Sequence, residues 1–149
     1  MLEFDHVGVV VSDLAEGRRQ LEATLPVVAS TAVFDDATLG VSVQFYRDHS
    51  GVVFELIAPY GDSSPVLNTL KQAHRLNQLA YRCRDLESAS RALRRARAVP
   101  LGAPAPAVAF DNALVQFFWS PLGHVIELIE TTGVRQDFVD LLSLDAEAG

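Results

Sequence analysis

The chain repeats itself, and the repeat constrains the fold more than any other feature of the sequence. The segment Gly51–Ile57 (GVVFELI) recurs as Gly123–Ile129 (GHVIELI), so that Glu55 corresponds to Glu127. Subtracting these two positions gives 72, and the shift of 72 residues needs no gap between residues 6 and 129. A repeat of this kind indicates two copies of one supersecondary unit. We therefore expect two half-domains with a seam between them.

Each copy predicts the same order of elements, which is a strand, a helix and three strands (βαβββ). In the first copy the elements cover residues 4–11, 14–24, 27–34, 41–47 and 52–58. In the second copy they cover residues 76–83, 86–97, a strand beginning at 99–101, 114–119 and 125–131. Apolar runs rich in valine indicate the strands. Asp13 and Asp85 each directly precede a helical pattern, where aspartate is a favoured N-cap. The expected fold class is α+β.

The length of the chain fits one domain. Its 149 residues, of which 49% are hydrophobic, can bury a substantial core. We divide this single domain (1–149) into a first module (1–60), a connection with a short helix (61–75), a second module (76–131) and a C-terminal tail (132–149). Ser64-Pro65 opens the short helix, because proline suits the first helical turn. The last few residues of the tail are expected to be mobile.

Charge and composition exclude several classes of partner. A net charge of −7 and a pI near 4.9 argue against nucleic acid, because phosphate binding requires a basic face. No apolar run approaches the roughly 20 residues of a membrane span, and the chain enters strand-like sequence at once, so we expect a cytoplasmic protein without membrane contact. The single cysteine, Cys83, lies in a strand-like run and is expected to be a buried, inert thiol.

Four polar residues stand at equivalent positions in otherwise apolar strands. They are His6 and Gln78 at the starts of the two copies, and Glu55 and Glu127 at the ends. Within each copy the two positions are 49 residues apart. A buried carboxylate needs a partner or a metal. Two carboxylates, one imidazole and one amide oxygen around a divalent cation give a formally neutral site, and mostly oxygen ligands favour octahedral geometry with two open positions.

Each of these residues also has a structural interpretation. A strand histidine can be a core residue with its hydrogen bonds satisfied, and a strand glutamate can lie at an exposed edge or pair with an arginine. Gln44 and Gln116 are equivalent positions as well, and the sequence leaves open whether they bind substrate or have an interior structural role. The three remaining histidines are expected at the surface, and they are His49, His74 and His124.

Several motifs resemble the vicinal oxygen chelate (glyoxalase/bleomycin resistance/dioxygenase) superfamily. They are Asp5-His-Val-Gly8, the Asp13-Leu14 cap and the Gly…Glu-Leu strand ends. The resemblance implies two tandem βαβββ modules that form a cupped, mostly antiparallel sheet around one divalent metal ion (Co, Mn, Ni, Zn or Mg). It also implies metal ligands on the first and last strand of each module, which here are His6, Glu55, Gln78 and Glu127. Members of this superfamily are frequently dimers, so a homodimer is expected.

Within the superfamily the first half of the chain and the connection resemble the methylmalonyl-CoA epimerases. The similar segments are Gly40–Val43, Glu55–Pro59 and Gly61–Val66. This resemblance implies a metal-dependent isomerase that removes a proton α to a carbonyl of a 2-acyl-CoA thioester, with Glu55 and Glu127 as base and acid. The second half departs from the epimerases, which usually carry His-His-Ile where this chain has Asn77-Gln-Leu79.

Two other functions of the same fold remain open, and a third is disfavoured. A glyoxalase I-type lyase fits, because ligand sets with one glutamine occur among those enzymes. A metal-free protein that binds a small molecule of the antibiotic type fits a groove lined by aromatic side chains, and it predicts protein partners for Glu55 and Glu127. The candidate aromatic residues are Phe45, Tyr46, Phe117, Phe118 and Trp119. Ring cleavage at Fe(II) is disfavoured, because it typically uses two histidines and the site offers only His6.

Overall fold

Both copies of the repeat fold into strands and one α-helix. The computed structural model describes residues 1–131, 133 and 136–142. The elements of the first half are β1 (Glu3–Val10), α1 (Leu14–Thr24), β2 (Val27–Ser30), β3 (Phe34–Asp36), β4 (Val41–Asp48) and β5 (Val53–Pro59). Those of the second half are β6 (Leu76–Cys83), α2 (Leu86–Arg95), β7 (Val99–Pro100), β8 (Ala105–Ala107), β9 (Ala113–Trp119), β10 (Val125–Glu130) and β11 (Val139–Asp140).

The eleven strands form one open sheet, in which the two modules meet at β1 and β6. The strand order is β11-β2-β4-β5-β1-β6-β10-β9-β7, with β3 paired to β4 and β8 paired to β9. β1 and β6 are antiparallel, and each has a parallel neighbour from its own module, β5 for β1 and β10 for β6. The other strand pairs are antiparallel. The predicted α+β fold class with two tandem βαβββ modules and a mostly antiparallel sheet is therefore confirmed.

Both helices begin at their predicted aspartate caps. Asp13 Oδ1 accepts a hydrogen bond of 2.9 Å from the N–H of Glu16, and Asp85 Oδ1 accepts one of 3.1 Å from the N–H of Ser88. α1 has the predicted bounds, whereas α2 ends at Arg95 and not at residue 97. The earlier end has a backbone cause, since Arg97 adopts a left-handed φ of 70° that cannot continue a helix.

The two helices cover the same face of the sheet and leave the other face to a cavity. Leu21 of α1 packs with Leu56 of β5, and Leu86 of α2 packs with Leu128 of β10. Because side chains alternate along a strand, the neighbours of Leu56 and Leu128 point to the opposite face. The largest apolar cluster lies on that face, and its buried members are Val10, Val41, Val43, Phe45, Ile57, Val66, Ala80, Ala107, Phe110, Val115 and Ile129.

Two segments differ from the sequence expectation. The predicted strand 27–34 is divided into β2 and β3, because Thr31 leaves the regular ladder and its hydroxyl accepts a hydrogen bond of 3.1 Å from the N–H of Phe45. The helix expected from Ser64 is reduced to a 3₁₀ turn at Thr69–Lys71. Ser64 instead donates its hydroxyl proton to the carbonyl of Gly40, which fixes the connection against the sheet.

The tail adds an edge strand to the sheet. β11 pairs with β2 through Val139 opposite Ser30 and Asp140 opposite Ala29. Residues 143–149 lie outside the described residues, as do residues 132, 134 and 135. They include the last few residues of the tail, which we expected to be mobile. Among the described helices, neither is long and apolar enough to span a membrane.

Candidate metal centre and its cavity

The four predicted ligand positions meet at the seam between the modules, on the four central strands. His6 Nε2 lies 3.2 Å from Glu55 Oε1 and 3.3 Å from Glu127 Oε1. Gln78 Nε2 donates to the same two oxygens, at 3.2 Å for Glu55 and 3.1 Å for Glu127. The two nitrogen atoms and the two oxygen atoms therefore alternate around a closed ring of four contacts. His6 and Gln78 occupy opposite corners, as expected from their equivalent positions in the repeat.

Small residues opposite the ligands make room for them. In the β1–β6 ladder His6 pairs with Ala80, and Gln78 pairs with Gly8. A Cβ atom on Gly8 would lie only 2.3 Å from Cγ of Gln78, so the absence of a side chain allows Gln78 to lie across β1. All four polar residues are buried, with at most 5% of each exposed. The sequence thus provides both the polar groups and the space in which they converge.

Burial and mutual charge shift the pKa values of this cluster. The pKa of Glu127 is raised to about 7, mainly because burial disfavours the carboxylate, and the charge of Glu55 adds to this while the hydrogen bond from His6 opposes it. Burial alone would lower the pKa of His6, but the charge of Glu55 and hydrogen bonds to three carboxylates outweigh it. The pKa of His6 is consequently raised well above its usual value. The cluster holds protons that a cation would displace.

The geometry of the cluster fits a divalent cation. Ligands held at about 2.1 Å and at right angles to one another lie about 3.0 Å apart, and the four contacts here measure 3.1 to 3.3 Å. One nitrogen and three oxygen donors also match the preferences of hard or borderline ions. Gln78 presents its Nε2 to the carboxylates in this structure, and a half-turn of its amide would present Oε1 to a cation. Ligand atoms of His6, Glu55 and Glu127 all lie within 4.8 Å of one another.

Two aromatic rings enclose His6. The ring of Phe110 stacks on the imidazole, with 5.9 Å between the centroids and 15° between the planes. The ring of Phe45 meets the imidazole edge-on, at 5.3 Å. Together they leave His6 with no exposed surface. Phe45 was among the predicted aromatic residues, but Phe110 was not, since it lies in a short 3₁₀ turn, Val108–Phe110, without strand periodicity.

Three residues of the cluster, Glu55, Gln78 and Glu127, line a cavity of about 670 Å³, which Phe117 and Trp119 also line. His74 is exposed, as we expected, and it also lines the cavity, as does His124. His124 is half-buried, and its Nδ1 donates to the carbonyl of Val125 at 3.0 Å, which leaves Nε2 available to a ligand.

The structure does not bring Gln44 and Gln116 to this cavity. Each lies one residue away from the cavity face of its strand, opposite Leu56 in the case of Gln44 and opposite Leu128 in the case of Gln116. Gln44 Nε2 donates to the carbonyl of Thr31 at 2.8 Å, and Gln116 Nε2 donates to the carbonyl of Gly102 at 3.0 Å. The placement fits the structural role that the sequence left open, and it separates both side chains from the cavity by the thickness of the sheet.

Residues 5–117 match the Glyoxalase/Bleomycin resistance protein/Dioxygenase superfamily. No curated protein sequence matches the chain significantly. Among solved structures, methylmalonyl-CoA epimerase from Mycobacterium tuberculosis is similar, with 25% identity, a TM-score of 0.70, and coverage of 87% of this chain and 88% of that one.

Two further structures share the fold. A variant of Streptomyces coelicolor methylmalonyl-CoA epimerase in complex with 2-nitronate-propionyl-CoA has 19% identity and a TM-score of 0.71, with coverage of 91% of this chain and 98% of that one. A glyoxalase I variant from Zea mays has 15% identity and a TM-score of 0.62, with coverage of 91% of this chain and 46% of that one. The match over residues 5–117 spans most of the chain. The chain therefore belongs to the glyoxalase/bleomycin resistance protein/dioxygenase superfamily.

Proposed function

We propose that the protein is a metal-dependent epimerase that moves a proton at the carbon α to a carbonyl, on a 2-acyl-CoA thioester of the methylmalonyl-CoA type. The observation that carries the proposal is the ring of His6, Glu55, Gln78 and Glu127, with contacts of 3.1 to 3.3 Å beside a cavity. Similarity to the mycobacterial epimerase at 25% identity supports the same substrate class.

These four residues would hold the cation, and their chemistry suits the reaction. When bound, the divalent ion supplies a Lewis acid that polarises the substrate carbonyl. Glu55 and Glu127 sit on β5 and β10, on opposite sides of the β1–β6 seam, so their carboxylates face the substrate carbon from two directions. All four contacts within the cluster use Oε1 of the glutamates, so Oε2 of each is the atom that remains for proton transfer.

Epimerisation needs two protonatable groups, and the glutamates supply them. The C–H bond breaks as its proton passes to one carboxylate, and the electron pair moves onto the carbonyl oxygen. A proton returned from the other carboxylate to the opposite face inverts the centre, and no atom is gained or lost.

The cavity supports a substrate that is largely apolar beyond its reacting group. A volume of about 670 Å³ accommodates a small acyl group and part of an attached chain. Much of the wall is aliphatic, and among the described residues no lysine or arginine lines it. The phosphate groups of an acyl-CoA would therefore remain outside the cavity.

Two other functions have specific support. A glyoxalase I-type lyase would use the same proton chemistry, and the Zea mays structure shares the fold. A metal-free small-molecule binding protein is supported by the contacts of Glu55 and Glu127 with His6 and Gln78, since these satisfy the carboxylates without an ion. The spacing of these contacts matches that of adjacent metal ligands, which favours a metal-dependent enzyme over the metal-free protein. We prefer the epimerase to the lyase because identity is 25% with the mycobacterial epimerase and 15% with the Zea mays structure.

Metal binding is the first test. Protein purified without chelator is analysed for metal, and then titrated calorimetrically with Co²⁺, Mn²⁺, Ni²⁺ and Zn²⁺. We expect one ion per chain in the wild type and a loss of affinity of at least tenfold in Glu127→Gln. Glu87→Gln makes the same chemical change on an exposed part of α2 and should bind like the wild type. Absence of binding for all four ions contradicts the proposal and favours the metal-free function.

Proton exchange identifies the reaction. Methylmalonyl-CoA is incubated in D₂O with the metal-loaded protein, and deuterium at C2 is followed by mass spectrometry. We expect exchange at least about 100-fold slower in Glu127→Gln, because general acid–base groups contribute factors of that size. Wild-type exchange no faster than the protein-free rate, together with turnover of a glutathione hemithioacetal, would instead identify a lyase.

A further inference from the structure

We propose that Asp5 is a positioning residue that holds a proton on Nδ1 of His6 and so directs Nε2 of this histidine to Glu55 and Glu127. The carboxylate Oδ2 of Asp5 lies 2.6 Å from His6 Nδ1, the shortest contact in the cluster. A carboxylate can only accept in this contact, so Nδ1 is the donor. The inference deepens the proposed function, since it concerns the preparation of one of its ligands.

A β-bulge brings these two neighbours together. In a regular strand consecutive side chains point to opposite faces, so Asp5 should face away from His6. The β1–β6 ladder pairs Phe4 with Tyr81 and His6 with Ala80, which leaves Asp5 as one extra residue on β1. Bulges of this kind re-aim a side chain and are common next to active sites. The bulge turns Asp5 towards the histidine ring.

The second module has the same irregularity with different chemistry. The ladder pairs Gly8 with Gln78 and Val9 with Leu76, so Asn77 is the extra residue on β6, at the position equivalent to Asp5. Asn77 precedes Gln78, an amide with no tautomers to select. The carboxylate occurs only in the copy where the ligand is an imidazole, whose two nitrogens must be distinguished.

Asp5 is itself held in place. Its other oxygen, Oδ1, lies 3.2 Å from Arg82 Nε in an ion pair, and Arg82 also lies 3.5 Å from Glu3. Arg82 Nε has no hydrogen-bond partner in the described part of the chain, so this contact is a charge interaction and not a directed bond. Arg82 thus restrains the carboxylate, while the short contact to His6 sets its direction.

The consequence for a cation is geometric. In the metal-free protein Nε2 also carries a proton, which points to Glu55 at 3.2 Å. A cation would displace this proton, and the proton that Asp5 keeps on Nδ1 would then leave the lone pair of the neutral imidazole on Nε2. Without Asp5 the ring can exchange tautomers and rotate between Phe45 and Phe110. Partners of this kind change metal affinity by about 10–100-fold in other proteins. We expect Asp5→Ala to lose affinity in this range, and Asp5→Asn, which retains an acceptor oxygen, to lose less.

The test uses two independent measurements on the full chain. Calorimetry with Zn²⁺ compares the wild type, Asp5→Asn and Asp5→Ala, with Glu3→Gln as the control that alters the charge near Arg82 without contacting His6. Proton NMR with ¹⁵N labelling detects the Nδ1–H of His6 in the metal-free protein. We expect a strongly downfield, slowly exchanging Nδ1–H signal in the wild type and in Glu3→Gln. The signal should move upfield in Asp5→Asn, and in Asp5→Ala it should be lost because the proton exchanges rapidly with water.

The two measurements separate the two proposals. An unchanged Nδ1–H signal in the Asp5 variants, or Zn²⁺ affinities within twofold of the wild type, overturns the role of Asp5. A wild type that shows the signal and binds no metal supports the contact with Asp5 and contradicts the metal-dependent function. Dispersed NMR spectra of the variants confirm that they fold, as expected for a carboxylate that is 18% exposed.

Discussion

Asp36 and Val108 occupy equivalent positions in the two modules and are joined directly, by a hydrogen bond of 3.0 Å from the Val108 N–H to Asp36 Oδ2. The other oxygen of the same carboxylate accepts a hydrogen bond of 2.9 Å from the N–H of Leu39. The link fixes the 3₁₀ turn Val108–Phe110, and with it the ring that stacks on His6. The buried carboxylate of Asp36 therefore links the first module to the turn of the second module that carries Phe110.

Removing this carboxylate should destabilise the protein. Asp36→Ala removes the acceptor of the part-buried N–H groups of Leu39 and Val108, and a hydrogen bond to a charged group contributes about 1.5–3 kcal/mol. We expect the free energy of unfolding to fall by about 2–4 kcal/mol in urea titrations. Asp35→Asn is the control, because Asp35 lies next to it but is exposed, and among the described residues its side chain bonds to Ser42. Equal midpoints for the two variants would contradict the connecting role of Asp36.

Gly8 should control the placement of Gln78. In Gly8→Ala the new methyl group would lie 2.3 Å from Cγ of Gln78, so this side chain must leave its position between the two glutamates. We expect a loss of stability of about 1–3 kcal/mol and weaker binding of Co²⁺ in calorimetry. Gly102→Ala provides a control, since a Cβ there meets no atom within 4 Å. Metal affinity that falls equally in both variants would exclude a specific effect on Gln78.

Replacing the amide by an imidazole should strengthen the centre. Gln78→His restores symmetry with His6, and Gly8 leaves at least as much space opposite residue 78 as Ala80 leaves opposite residue 6. Imidazole binds Ni²⁺, Co²⁺ and Zn²⁺ more strongly than an amide oxygen does, and we expect about tenfold tighter binding, or about 1.4 kcal/mol. Gln78→Leu should bind more weakly than the wild type. Identical affinities in all three proteins would show that residue 78 is not a ligand.

Tyr46 gives a prediction for alkaline pH. Its side chain is fully buried, and its hydroxyl has no hydrogen-bond partner among the residues that the structure describes. Burial raises the pKa of Tyr46 to about 12, above the ordinary value of 10.0. Because the folded state holds the phenolic proton more tightly, this contribution to stability is present below pH 10 and is lost as the pH rises towards 12.

Tyr46→Phe removes both effects. We expect a free energy of unfolding about 1 kcal/mol higher at pH 7, because the hydroxyl no longer has to be buried without a partner. The loss of stability between pH 10 and pH 12 should also be less steep than in the wild type. Thermal unfolding across this pH range measures both quantities. Tyr60→Phe, at an exposed position, should follow the wild type, and a steep alkaline loss that persists in Tyr46→Phe would assign it to another group.

Much of the fold follows from local and repeated patterns. Asp13 and Asp85 locate the starts of the helices because an aspartate cap has a specific chemical role. The proximity of Glu55 to Glu127 was also predictable, because equivalent positions in two repeated modules are related by one pseudo-twofold axis. Both inferences depend on features that the sequence shows directly, namely a capping residue beside its helix and two positions related by the repeat.

The features that could not be predicted from the sequence depend on irregular backbone segments and on contacts between the modules. Strand alternation places Asp5 on the wrong face for contact with His6, and only the bulge reverses this. Phe110 reaches His6 through a turn fixed by Asp36 in the other module, a pairing that no local pattern contains. His74 and His124 were expected at the surface. His74 is exposed and His124 is half-buried, and both also line the cavity, which no local sequence pattern indicates.

The pairing of β1 with β6 has a thermodynamic consequence. Each module contributes one glutamate and one residue of the His6–Gln78 pair, so neither half contains more than two of the four candidate ligands. An ion that binds all four must favour the state in which the halves are joined, and its binding energy adds to the association energy of the modules. A bound ion would thus indicate that β1 and β6 are paired. Two separately expressed halves would associate more tightly in the presence of the ion.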